Sequence, residues 1–252
     1  MKALIAEDAR VDRRLLVGIL RHHLDFEEII EAKDGAEALE WVRNEQFQLI
    51  LLDWNMPKMQ GIDVLRKIRD ENVNTPVIMV TGEKDRASVV EAFDAGANNY
   101  IVKPFGASTV AAKIKNTLRG VSRNSQRPTA KRALVVDASA VMRKVLAGML
   151  DRACHFREIV QAEDGLEALR VAKSGDFDLI LLDWNMPKML GIDTLKAIRK
   201  YDAETPVIMV TNEKEEARVV EALEAGANNY VVKPFEPSTI AKVVKQTLHL
   251  EF

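Results

Sequence analysis

The sequence predicts an α/β chain of two flavodoxin-like (βα)5 domains, each a five-stranded parallel sheet of order 2-1-3-4-5 with helices on both faces. Three observations carry that expectation. The segment Ile50-Leu51-Leu52-Asp53-Trp54-Asn55-Met56-Pro57-Lys58-Met59 recurs as Ile180-Leu181-Leu182-Asp183-Trp184-Asn185-Met186-Pro187-Lys188-Met189, displaced by 130 positions. An ungapped overlay at that offset matches roughly half of all positions across two copies of about 120 residues, a usual domain size. Within each copy, short apolar runs alternate with segments of helical period, and the runs are too uniformly hydrophobic to leave one face wet, as in parallel strands covered on both sides. Regular alternation of this kind implies right-handed crossovers, and five strands suit the doubly wound order.

The first copy opens on the apolar run Ala3 to Ala6, read as a strand, followed by a helical pattern over Asp12 to His23. A second strand is expected over Glu28 to Ala32, and Asp34-Gly35 marks the helix end beside the pattern Gly35 to Asn44. Leu49 to Leu52 reads as the third strand and Ile62 to Asp70 as its helix. Pro76 to Thr81 reads as the fourth strand, and the helical pattern Arg86 to Ala95 closes on Ala95-Gly96-Ala97-Asn98-Asn99, residues that tolerate positive φ. Tyr100 to Val102 and Ser108 to Leu118 supply the last strand and helix. Residues 1–120 are thus expected to form the first domain, 121–131 a linker and 132–252 the second domain, because Gly120 to Lys131 is polar and carries Pro and Gly. The final helical pattern, Ser238 to Leu248, ends almost at the C-terminus, so output is expected from the two copies themselves.

With 47% hydrophobic and 29% charged residues among 252, each half has enough apolar sequence for its own core. A net charge of -2 without a long basic run gives no electrostatic reason to expect nucleic acid or an anionic membrane as partner. The single cysteine, Cys154, reads as a small residue packed in or beside a helix, in keeping with a reducing compartment. No apolar run approaches the roughly 20 residues that span a bilayer, and the N-terminus meets Glu7 and Asp8 too early for a signal peptide. A cytoplasmic protein is expected.

In an open parallel sheet, chemistry collects at the carboxyl ends of the strands, beside the point where strand order reverses. The polar residues at those ends are Glu7 and Asp8 after the first strand, Asp53 after the third, Thr81 after the fourth and Lys103 after the fifth. Three crowded carboxylates repel one another unless a divalent cation sits among them, and all-oxygen ligation favours Mg²⁺ or Mn²⁺ over zinc. A carboxylate nucleophile, a hard cation, a lysine and a hydroxyl together suit acceptance of a phosphoryl group, whose oxygens need charge neutralisation and donors. Asp53 sits centrally and is the natural acceptor. His22 and His23 read as surface residues of the first helix, and Trp54 and Trp184 are placed to report on the site optically.

Glu7-Asp8, Asp53, Thr81 and Lys103-Pro104-Phe105, in this order and spacing, resemble the receiver domain of two-component response regulators, and the resemblance covers essentially the whole chain as two copies. Asp53-Trp54-Asn55-Met56-Pro57 and the stretch from Gly96 to Phe105 look closest to the single-domain chemotaxis regulators. The resemblance implies that Asp53 takes a phosphoryl group from a histidine kinase, a phosphotransfer protein or a small phosphodonor. It also implies that Glu7, Asp8, Asp53 and the Asn55 carbonyl hold Mg²⁺, which Mn²⁺ can replace. Thr81 matches the hydroxyl that bonds the phosphoryl group, Tyr100 the aromatic that swings inward with it, and Asn55 and Glu83 positions that tune hydrolysis of the phosphoaspartate.

The overlay carries Asp53 onto Asp183, Asn55 onto Asn185, Thr81 onto Thr211, Glu83 onto Glu213, Tyr100 onto Tyr230 and Lys103 onto Lys233. The acid pair, however, becomes Asp137-Ala138, so the second metal site, Asp137, Asp183 and the Asn185 carbonyl, is expected to be poorer. Gly82 becomes Asn212, a larger residue expected to narrow phosphodonor access. The leading expectation is a phosphoacceptor switch, not an enzyme beyond self-catalysed phosphorylation and dephosphorylation, that acts through protein contacts. A downstream target, the neighbouring copy or a homodimer mate would read the face of the fourth helix, fifth strand and fifth helix. The second copy is expected to be a second acceptor at Asp183 or a weakened partner regulating the first. A haloacid-dehalogenase-type phosphohydrolase shares the Asp nucleophile, Mg²⁺, Thr and Lys but usually carries a second Asp where Asn55 and Asn185 stand. A flavodoxin-like nucleotide or flavin binder predicts a Gly-rich or hydroxyl-rich loop after the first strand, where this chain has Glu7-Asp8.

Overall fold

The computed structural model describes residues 1–252 except 72, 83–85, 127–130, 213–215 and 249–252. Five strands alternate with five helices in the first unit: β1 (Lys2–Ala6), α1 (Arg10–His23), β2 (Glu28–Ala32), α2 (Gly35–Asn44), β3 (Leu49–Asp53), α3 (Gly61–Asp70), β4 (Val77–Thr81), α4 (Arg86–Asp94), β5 (Asn99–Val102) and α5 (Ala107–Gln126). The second repeats them as β6 (Arg132–Val136), α6 (Ala140–Cys154), β7 (Glu158–Ala162), α7 (Gly165–Ser174), β8 (Leu179–Asp183), α8 (Gly191–Arg199), β9 (Val207–Thr211), α9 (Glu216–Glu224), β10 (Asn229–Val232) and α10 (Pro237–Leu248). The chain divides into Met1–Arg119 and Gly120–Phe252. Each holds one parallel sheet, ordered β2-β1-β3-β4-β5 in the first and β7-β6-β8-β9-β10 in the second, as expected.

Strand alternation distributes the core. Ala3 and Ile5 of β1 and Leu49 and Leu51 of β3 pack with Leu16 and Leu20 of α1 and Val110 and Ile114 of α5. Their neighbours Leu4, Ile50 and Leu52 point to the opposite face and are equally buried, which is why the runs read as continuously apolar. The second unit repeats this with Ala133, Val135, Leu179 and Leu181 against Leu146, Leu150, Ile240 and Val244. Cys154 belongs to that core, and burial raises its thiol pKa. His22 and His23 are exposed.

Most element ends lie within two residues of expectation, with one larger difference. α5 was expected to end at Leu118 but continues to Gln126, so part of the 121–131 linker segment is helical. Only Gly120 in the extension disfavours a helix, Ser122 to Gln126 are polar, and no proline falls between Leu118 and Pro128. No described helix is long and apolar enough to cross a membrane.

Local chemistry fixes the loops that carry the site. Asp34 caps α2 by accepting the Glu37 amide at 2.9 Å, while the Glu37 carboxylate accepts the Lys33 amide at 2.8 Å. At Gly61, a side-chain Cβ would lie 1.9 Å from the Asp53 carbonyl oxygen, so only glycine lets α3 start against the end of β3. Its amide donates to the Trp54 carbonyl at 2.9 Å, closing the loop that follows Asp53. Gly191 repeats both features beside Asp183 and Trp184.

Candidate functional site

Parallel strands deliver their carboxyl ends to one edge, and the expected site residues stand at four of the five. Glu7 and Asp8 follow β1, Asp53 ends β3, Thr81 ends β4 and Lys103 follows β5. Glu7, Asp53 and Thr81 are buried, whereas Asp8 is exposed. The β3–β4 register sets Asp53 beside Val80, and the β4–β5 register sets Thr81 beside Val102. Lys103 reaches back across the strand ends, with Nζ 2.7 Å from Glu7 Oε2, 3.0 Å from Asp53 Oδ1 and 3.4 Å from Asp12 Oδ2.

Electrostatics follow from that crowding. Burial raises the Asp53 pKa above the ordinary aspartate value, Lys103 pulls against the shift, and the Asp8 charge adds to it. Glu7 is raised for the same reason, with Lys103 opposing and Asp53 reinforcing. Burial works against the Lys103 ammonium, but Glu7 and Asp53 outweigh it and hold its pKa above the ordinary lysine value. The site therefore carries an excess of negative charge that is costly to bury.

A cation would answer that excess. Glu7, Asp8 and Asp53 each offer a carboxylate oxygen, all within 4.8 Å of one another, and no other described residues form such a group. Glu7 Oε1 accepts the Ala9 amide at 3.2 Å, and Oε2 is buried with Lys103 Nζ at 2.7 Å as its ion-pair partner. Three carboxylates held this close with a single lysine between them, two of them buried, form an all-oxygen donor set that fits a hard divalent cation.

The second copy shares the frame and lacks this set. Lys233 Nζ donates to Asp137 Oδ2 at 2.7 Å and to Asp183 Oδ1 at 2.9 Å, and Asp137 Oδ1 accepts the Ser139 amide at 2.8 Å. Ala138 stands where the first copy has Asp8, and Met142 where it has Asp12. Burial raises the Asp183 pKa against the pull of Lys233, with Asp137 adding to the rise. Thr211 is buried at the end of β9, and Asn212, like Gly82, is exposed.

The remaining expected residues divide. Tyr100 is buried, edge-on to Phe93 at 6.2 Å between ring centroids, and Lys113 lies 4.0 Å over its ring while donating to its carbonyl at 2.7 Å. Tyr230 is also buried, but Leu223 and Val243 replace Phe93 and Lys113. Asn55 and Asn185 are exposed in the loops after Asp53 and Asp183. Glu83 and Glu213 lie outside the described residues. Trp54 and Trp184 are buried next to Asp53 and Asp183 in sequence, and Arg218 lies 5.8 Å over the Trp184 ring.

Two residues at the site escaped sequence reasoning. Arg13 Nη1 donates to the Glu7 carbonyl at 2.6 Å and the Asp8 carbonyl at 3.2 Å, tying the acid loop to α1. Arg143 does the same to Asp137 and Ala138 at 2.7 and 3.2 Å, and the exact match of the two arginines in the overlay was the available signal. Asp12 gave no such signal, because its counterpart is Met142 and the alignment of the copies hides it as a difference.

Comparison with known proteins places this geometry among others. Residues 3–115 and 133–245 each match the family model of the response regulator receiver domain. Similar curated proteins include the chemotaxis protein CheY-3 of Vibrio cholerae serotype O1, 45% identical over 116 residues, covering 45% of this chain and 88% of that protein. The chemotaxis protein CheY of Pseudomonas aeruginosa is 43% identical over 124 residues, covering 48% of this chain and 99% of its own length. Among solved structures, Vibrio cholerae CheY4 is 34% identical, covers 47% of this chain and 99% of its own, and has a TM-score of 0.43.

Proposed function

The chain belongs to the response regulator receiver domain family, which it carries twice over most of its length, and we propose that Asp53 of the first copy is its Mg²⁺-dependent phosphoryl acceptor. The observation that carries this reading is the asymmetry of the two acid sites, with Glu7, Asp8 and Asp53 clustered within 4.8 Å in one copy and Ala138 interrupting the equivalent set in the other. An Asp53 carboxylate oxygen attacks phosphorus in line with the leaving group, an acyl oxygen or an imidazole nitrogen. The new Oδ–P bond forms as the donor bond breaks, and the donor keeps the electron pair. A bound Mg²⁺ supplies neutralisation of the phosphoryl oxygens. Lys103, already 3.0 Å from Asp53, shifts its charge onto a phosphoryl oxygen, and the Thr81 hydroxyl at the end of the neighbouring strand donates to another.

Acceptance acts as a switch because Thr81 and Tyr100 sit on adjacent strands, β4 and β5, linking Asp53 to the surface of α4, β5 and α5. A partner protein reads that surface, and a histidine kinase or phosphotransfer protein supplies the phosphoryl group. Asp183 keeps its Lys and Thr but not its acid pair, so the second copy is a weak acceptor that regulates the first.

Incubation with acetyl phosphate and Mg²⁺, followed by intact-mass measurement, tests the reading. We expect one added phosphoryl group that is lost with EDTA and in Asp53→Asn. Labelling that persists in EDTA, or that is as extensive in Asp53→Asn as in wild type over the same interval, overturns it.

A further inference from the structure

Among the described residues, Asp12 is the one acid at the first site that the phosphoryl-transfer chemistry does not use. It lies in the first turn of α1, about one-third exposed, with Oδ2 3.4 Å from Lys103 Nζ. We infer that Asp12 is a specificity-determining residue that sets the first site against small anionic phosphodonors, through its charge at the mouth and its hold on Lys103. This rests on the reading of Asp53 as acceptor and deepens it.

The charge count at the site supports the inference. Glu7, Asp8 and Asp53 bring three negative charges, which one divalent cation and the Lys103 ammonium balance. Among the described residues, Asp12 is the surplus. It stands at the exposed side of Lys103, whereas Glu7 and Asp53 occupy the buried side. A dianionic donor entering from solvent meets the Asp12 carboxylate as a further negative charge, and like charges at a cleft lower both encounter rate and occupancy. The same contact adds a third carboxylate to Lys103, which must turn toward the phosphoryl oxygens during transfer.

The second copy supplies the internal comparison. Among the described residues, Lys233 has two carboxylate partners, Asp137 and Asp183, and Met142 occupies the place of Asp12. Neutrality at that position is therefore compatible with the fold, with the lysine bridge and with the neighbouring arginine, Arg143, which ties the acid loop to α6 as Arg13 ties it to α1. Asp12 adds nothing that the architecture requires. Its effect is on which donor reaches Asp53.

The test compares wild type, Asp12→Asn and Asp12→Met in the full chain at saturating Mg²⁺. Initial phosphorylation rates are read by intact mass with acetyl phosphate and with phosphoramidate, a donor of lower negative charge. Both variants should accept from acetyl phosphate roughly 3- to 10-fold faster at low ionic strength, with the gain shrinking as salt screens the charge. The gain with phosphoramidate should be smaller. Rates equal to or below wild type, a gain that salt does not change, or the same gain with both donors would overturn the inference while leaving Asp53 as acceptor. Absence of labelling in all three proteins would remove the acceptor reading and this inference with it.

Discussion

Lys103 Nζ stands 3.0 Å from Asp53 Oδ1, and its counterpart Lys233 stands 2.9 Å from Asp183 Oδ1. The aspartate–lysine pair is thus nearly identical in the two copies, and the difference between them lies in the flanking acids. Around Lys103 the structure collects Glu7, Asp53, Asp12 and, through the carboxylate cluster, Asp8, whereas around Lys233 it collects Asp137 and Asp183. One site needs a divalent cation for charge balance. The other comes within one charge of balance with its own lysine.

Metal binding should follow that difference. Asp8→Ala removes a carboxylate from a hard-cation site and should weaken Mg²⁺ binding about tenfold or more, while Ala138→Asp should create measurable binding in the second copy. Fluorescence of the buried Trp54 and Trp184, separated by single Trp→Phe variants, reads the two sites individually. Unchanged Mg²⁺ affinity in Asp8→Ala would count against the donor set.

The buried carboxylates predict a pH dependence whose sign is fixed by their raised pKa values. A group whose folded pKa is raised contributes stability that is present below its unfolded value and lost as pH rises through the folded value. For Asp53 and Glu7 that window opens at the ordinary values of 3.8 and 4.5 and closes above them. Metal-free protein at neutral pH therefore carries a penalty, and Asp53→Asn should stabilise it by about 1 kcal/mol, an advantage that vanishes on acidification. Thermal unfolding in EDTA at several pH values measures this. Destabilisation by Asp53→Asn at neutral pH would contradict it.

The close approach at Gly61 gives a structural prediction tied to the acceptor. Gly61→Ala places a methyl 1.9 Å from the Asp53 carbonyl oxygen, backbone that cannot yield cheaply. The variant should lose about 2–4 kcal/mol of stability or displace the Asp53 loop, whereas Gly18→Ala, whose added carbon meets nothing within 4 Å, should be neutral or better. Equal stability of the two variants in denaturant titrations would show that the loop relaxes freely.

The sheet order and the strand-end residues were legible because period and polarity coincide. Buried parallel strands leave continuous apolar runs, and Glu7, Asp8, Asp53, Thr81 and Lys103 interrupt the apolar pattern where those runs end. The extension of α5 to Gln126 was not legible, since Ser122, Arg123, Asn124 and Ser125 suit a helix or a loop equally. Arg13 and Asp12 were missed for a related reason. Both lie at the first turn of an amphipathic helix, where charged residues are usual, and only the folded geometry brings one to a carbonyl and the other to Lys103.

The central claim is that the duplicated aspartates differ in competence, with the complete acid site at Asp53. Intact-mass counting of phosphoryl groups on wild type, Asp53→Asn and Asp183→Asn, each with acetyl phosphate and Mg²⁺, tests it most directly. The expected result is one group on wild type and on Asp183→Asn, and little or none on Asp53→Asn over the same interval. Two groups on wild type, with equal labelling of the two single variants, would contradict it.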